Sequence, residues 1–165
     1  HAAHIRSVRG SNPCTATISR SLSLESTTPL DKMEKQRLFK LLARALSEEE
    51  NVVFAYVYGS FVNESSFRDI DVGIYVKNPD VNPYVFCSDM KAKLSLFLKE
   101  EGLEWRADRF DIQILNDAPF TFLKRVFREG LLLVDHDPDL RTDLVEHVSF
   151  KHRECAGILA EASLL

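Results

Sequence analysis

The sequence predicts an α+β (mixed α/β) domain in which a small mixed β-sheet is flanked by helices. Three observations predict it. Short segments at 52–58, 69–76 and 110–115 are β-branched, aromatic or strictly alternating, as strands of a half-buried sheet are. Longer segments between them repeat apolar residues every three or four positions, the period of a helix packed on one side. Gly and Pro stand at the junctions, where the chain changes from one period to the other.

The elements follow in order. Thr28 is the expected N-cap of a first helix, with Pro29 at the first helical position and Asp31 three residues after the cap. Leu38, Leu41, Leu42, Ala45 and Leu46 then recur at helical spacing, and Arg37, Lys40 and Arg44 fall on the other side. VVFAYVY at 52–58 reads as a buried strand, broken by Gly59, and a polar segment follows at 63–68. DIDVGIYV at 69–76 is a second strand, and Asn78, Pro79, Asn82 and Pro83 mark a loop. A helix is expected over 85–99, stopped near Gly102. FDIQIL at 110–115 is a third strand. Pro119 opens a helix through Arg128, with Gly130 as its expected C′ residue. A short strand at 131–134 and a helix from Pro138 to the end complete the series.

Residues 1–28 differ from the rest. Ten of them are Ser or Thr, and His1, His4, Arg6 and Arg9 give the stretch a basic tint. They are expected to form a tail, in part expression-vector sequence, without chemistry. Residues 29–165 are the expected folded domain.

Composition narrows the function. With 45% hydrophobic and 28% charged residues, the chain can bury a core without staples. A net charge of -4 argues against holding long nucleic acid by phosphate neutralisation, but leaves open a nucleotide held through a metal ion. No run approaches the roughly 18 apolar residues of a membrane span, and no apolar leader is visible. Cys14, Cys87 and Cys155 are odd in number and widely spaced, which fits neither a disulfide framework nor a zinc cluster. A reducing cytoplasm is the expected compartment.

The informative feature is acid placed inside apolar strands. Residues two apart on a strand share a face, so Asp69 and Asp71 lie together with Gly73, roughly 6 to 7 Å apart at Cα. Ile70, Val72, Ile74 and Val76 point the other way. Asp111 and Gln113 oppose Phe110, Ile112 and Ile114 in the same manner. If the two strands are neighbours, three carboxylates converge, and their repulsion calls for a cation. Mg²⁺ takes oxygen ligands and leaves positions open for phosphate, and two such ions can clamp an in-line displacement at phosphorus. Solvated acids on a half-exposed sheet and a glycosyltransferase-type Asp-x-Asp metal site are the competing readings. A calcium loop fails because the required Gly and Glu do not follow. Gly59 and Ser60 directly after a strand add a turn that can approach phosphate closely.

The segment VYGSFVNESSFRDIDVGIYV at 57–76 resembles the signature of the DNA polymerase β-type nucleotidyltransferase superfamily. FDIQILNDAPFTFLKRVFREGLLLV at 110–134 is similar to the matching part of its short standalone branch, the minimal nucleotidyltransferases. The resemblance covers about residues 35–150 and implies a polymerase β-like fold. It implies that Asp69, Asp71 and Asp111 are the catalytic and metal-binding residues for two Mg²⁺ ions, with Asp111 helping to deprotonate the acceptor hydroxyl. It implies that Gly59 and Ser60 hold the phosphates of ATP or another NTP. The spacer of eight residues between Ser60 and Asp69 is shorter than in many relatives, and Phe61, Val62 and Asn63 stand where relatives often carry Arg. Arg68 is the candidate nucleotide-binding cation, a solvated arginine being the alternative.

Many minimal nucleotidyltransferases resemble the antitoxin of a HEPN-domain toxin ribonuclease and transfer AMP to a toxin tyrosine. That role is the leading expectation, with transfer to a small-molecule hydroxyl, as in aminoglycoside-modifying relatives, or a non-catalytic partner-binding module as alternatives. The remaining residues are assigned bland roles. The histidines are expected at the surface, Tyr56, Tyr58 and Tyr75 in packing, Trp105 with Arg106 and Arg109 in a surface loop, and Leu96, Phe97 and Leu103 in the core. Ile158, Leu159, Ala162, Leu164 and Leu165 are either core or an association face, so a homodimer is an open expectation.

Overall fold

The computed structural model describes residues 28–162. The expected tail therefore lies, Thr28 apart, outside the described residues, as do the final residues 163–165.

The first helix, α1 (Lys32–Ser47), starts later than its sequence suggests. Asp31 is the N-cap: its Oδ1 accepts from the Glu34 amide at 2.8 Å, and Glu34 Oε2 accepts from the Asp31 amide at 2.9 Å. This reciprocal pair satisfies two amides that a Thr28 cap would not reach. Thr28–Pro29 instead forms a two-residue strand, β1, antiparallel to β3 (Ser66–Phe67). The main sheet contains β2 (Val52–Tyr58), β4 (Ile70–Val76), β5 (Phe110–Ile114) and β6 (Leu131–Asp135) in the order β5-β4-β2-β6. β2 runs antiparallel to both β4 and β6, while β4 and β5 are parallel. A single helical turn, α2 (Ser60–Asn63), follows β2.

The parallel pair needs a crossover, and α3 (Pro83–Glu100) supplies it. Asn82 and Pro83 are its cap and first residue rather than loop. The Asn82 side chain accepts from the amides of Tyr84 and Val85 at 3.0 and 3.3 Å, and proline at the first position forgoes an amide that has no helical partner. α4 (Phe120–Glu129) ends at Gly130, whose φ of -80 is not the left-handed conformation of a C′ glycine. Glycine stands there because of crowding: a Cβ would lie 2.5 Å from the Val126 carbonyl and 3.1 Å from that of Val57. α5 (Pro138–Ala162) closes the chain. The fold is the mixed α/β arrangement the sequence predicts.

The sheet separates two cores. Ala55 and Val57 of β2, Ile70, Val72, Ile74 and Val76 of β4, and Phe110 and Ile112 of β5 face α1 and α3. There they meet Leu38, Leu41, Leu42 and Leu46 of α1 and Met90, Leu94 and Leu98 of α3. The other side holds Phe54, Tyr56, Tyr58 and Leu115 against Leu123 and Val126 of α4 and Val148 of α5. Two expectations about burial also fail. Leu96 is 59% exposed, because it lies two residues from both Leu94 and Leu98 and so points away from the core they form. Trp105 is buried rather than on the surface, stacked on Phe67 with centroids 5.7 Å apart and planes 6° apart. No helix among the described residues is long and apolar enough to cross a membrane.

Candidate active site

The register of the sheet brings two of the three sequence-predicted acids, Asp71 and Asp111, together. Tyr58 at the end of β2 opposes Asp71 on β4, and Asp71 opposes Asp111 on β5. The three side chains form a row across three strands, on the face turned from α1 and α3. The pairing of β4 with β5 is what makes neighbours of residues forty positions apart.

The turn after β2 closes on this row. Gly59 has φ +73, a conformation that disfavours any residue with a Cβ. A Cβ there would lie 2.3 Å from Asp71 Oδ2. Backbone and carboxylate are thus in direct contact, and the turn after β2 and the acid on β4 belong to one site. Val62 and Asn63 donate their amides to the Gly59 carbonyl at 3.1 and 3.2 Å, which folds α2 back over the turn.

Charge in the row is crowded. Burial pushes the Asp71 carboxyl above its ordinary range, and the neighbouring charges of Asp111 and Asp69 push it further, with Arg125 opposing. Burial, Asp71 and Asp111 likewise raise the Tyr58 phenol, again against Arg125. Asp111 is exposed and accepts from Gln113 Nε2 at 3.3 Å. Asp69 sits just before β4 and is turned aside: Arg68 Nε donates to its Oδ2 at 2.7 Å, and Arg109 Nε lies 3.8 Å from its Oδ1. The structure therefore sets Arg68 against Asp69.

The donor set suits a hard cation. Asp71 and Asp111 offer carboxylate oxygens side by side, and a divalent ion would offset both the burial and the repulsion that lift Asp71. As folded, no three acid, His or Cys side chains among the described residues are gathered closely enough to hold a metal. Asp69 would join only by exchanging its arginine partners.

Two residues stand beside the acids that the sequence did not place there. Tyr58, expected only to pack, stands in the row itself. Arg125, on α4, faces Asp71 in a cavity of about 280 Å³ that Tyr58, Gly59 and Glu129 also line. No spacing in the sequence points to Arg125, because the docking of α4 against β2 brings it there.

The sequence matches the polymerase beta nucleotidyltransferase family over residues 40–139. No curated protein sequence matches the chain. Among solved structures, the fold is similar to a chain from the tri-AMPylated Shewanella oneidensis HEPN toxin in complex with MNT antitoxin. That likeness has 17% identity and a TM-score of 0.50, and covers 78% of this chain and 96% of that one. A chain of the toxin–antitoxin complex MntA–HepT matches at 16% identity and a TM-score of 0.47, over 81% of this chain and 97% of that one. A further chain from Shewanella oneidensis matches at 14% identity and a TM-score of 0.46, over 77% and 98%.

Proposed function

The chain belongs to the polymerase beta nucleotidyltransferase family, and we propose that it transfers AMP from ATP to a hydroxyl, that of a tyrosine on a HEPN-type partner protein. The nucleotidyltransferase assignment follows from the family. The register of Asp71 against Asp111, with the Gly59 turn touching Asp71, is the observation that carries the finer reading. Carboxylates on adjacent strands beside a tight glycine turn suit transfer of a phosphoryl-linked group, where catalysis is mostly positioning and charge neutralisation.

In this reading Asp69, Asp71 and Asp111 hold two Mg²⁺ ions, which when bound neutralise the phosphates. Gly59 and Ser60 seat the triphosphate, and Arg68 serves as an auxiliary cation. The acceptor oxygen attacks the α-phosphorus, the bond to the β-phosphate bridge breaks, and pyrophosphate leaves. Asp111, the exposed member of the row, takes the acceptor's proton on its carboxylate. The partner assignment leans on the sequence resemblance and on the solved likeness whose HEPN toxin is tri-AMPylated. The cytoplasm fits this role, with Cys87 and Cys155 unpaired.

The test is transfer of label from α-phosphate-labelled ATP with Mg²⁺, with and without a HEPN-type partner. Label should appear on the partner with the parent protein and vanish with Asp69→Asn, while circular dichroism stays unchanged. Full activity in Asp69→Asn would remove that residue from the site. Tight partner binding without label, with any NTP, would favour a non-catalytic module.

A further inference from the structure

Lys35, Arg68, Arg109 and Arg125 carry positive charge around the Gly59 turn and the acids, and the protein itself engages the first three. Lys35 Nζ donates to the Phe61 carbonyl at 2.5 Å and to the Glu64 carbonyl, holding α2 against α1. Arg68 and Arg109 both face Asp69. Arg125 is placed differently. It projects from α4 into the cavity of about 280 Å³ bounded by Tyr58, Gly59, Asp71 and Glu129. Its guanidinium lies 5.4 Å from the Phe122 ring centroid, and Phe122 packs edge-on against Tyr58 at 5.6 Å. Glu129, one turn further along α4, is paired with Arg128. An aromatic side chain thus orients Arg125, and the acid nearest to it in the helix is already engaged.

We propose that Arg125 is the cation that grips the β- and γ-phosphates of the nucleotide, which lie over the Gly59 turn with the α-phosphorus toward Asp71 and Asp111. The proposal rests on the nucleotidyl-transfer reading and names a residue for it. A guanidinium fork matches phosphate oxygens in pairs, and its planar face can stay on Phe122 while its edge binds. Gly59 lines the same cavity and brings no side chain into it. As pyrophosphate leaves, charge builds on the oxygens nearest Arg125, so the same contact favours departure.

Equilibrium binding of Mg·ATP and of AMP to the full chain tests this by calorimetry. Arg125→Gln should weaken Mg·ATP about ten- to a hundredfold, the worth of a charge-assisted contact, and leave AMP unchanged. Arg125→Lys should recover part of the loss, since it keeps the charge but not the fork. Unchanged Mg·ATP affinity in Arg125→Gln overturns the proposal, as does an equal loss for ATP and AMP, which would mark a merely structural role. Failure of the parent protein to bind Mg·ATP overturns instead the nucleotidyl-transfer reading beneath it.

Discussion

The face of the sheet beneath α1 and α3 and the face beneath α4 and α5 are made by the same strands, yet they share almost no chemistry. On the first, Ile70, Val72 and Ile74 of β4 meet leucines of two helices in an apolar core. On the second, the intervening residues are Asp71, Gly73 and Tyr75, beside Tyr58 of β2 and Asp111 and Gln113 of β5. One β4 strand therefore anchors the fold with alternate residues and carries the candidate site with the others. The second face also has an apolar part, where Phe54, Tyr56 and Leu115 lie under α4 and α5, with Leu115 closing over Gly73. Strand pleating, rather than a domain boundary, sets the candidate site apart from the core beneath α1 and α3.

Substitutions on the two faces should therefore have opposite signatures. The largest loss of stability belongs to the first face. Leu42→Ala, at a fully buried position, should cost about 2–5 kcal/mol in urea unfolding, with nucleotide binding per folded molecule unchanged. Impaired nucleotide binding in molecules that remain folded would show that the faces are not independent.

Gly59→Ala comes next. A backbone at φ 73 and ψ -150 is almost confined to glycine and costs a residue with a Cβ about 1–3 kcal/mol, and here the methyl must also displace the Asp71 carboxylate. Both stability and Mg·ATP affinity should fall. A variant as stable as the parent would mean that the turn relaxes into another conformation.

Asp71→Asn should have the smallest effect on stability, and of the opposite sign. The folded carboxyl titrates above the unfolded one, so between those two values the folded state holds more protons and stability falls as pH rises. Above the folded pKa the cost is fully present, and below the ordinary carboxylate range it disappears. Asp71→Asn should therefore melt higher than the parent at pH 7, with the difference closing as pH falls through the acid range, while nucleotidyl transfer is lost. A lower melting temperature at pH 7 would show that Asp71 stabilises the fold in its charged form.

Much of this was legible in the chain. The alternation at 69–76 and 110–115 assigns each residue to one face or the other without coordinates, and β2 follows its apolar run from Val52 to Tyr58. The start of α1 was not, because Thr28–Pro29 and Asp31 both carry plausible start signals and the competition is decided by what pairs with them. Asp31 finds Glu34 within the helix, while Thr28–Pro29 finds Ser66–Phe67 across the chain. Trp105 does lie in a loop, yet it is buried, because Phe67, distant in sequence, stacks on it within the core.

What the sequence determined by itself is the division of each strand into an apolar and an acidic side, since side-chain direction in a strand depends only on parity. What the tertiary structure decided is which acids meet. Asp71 and Asp111 become neighbours through the parallel register of β4 with β5, Asp69 is turned to arginines, and Arg125 arrives on α4. Register and docking depend on partners distant in sequence, and no local period encodes a distant partner.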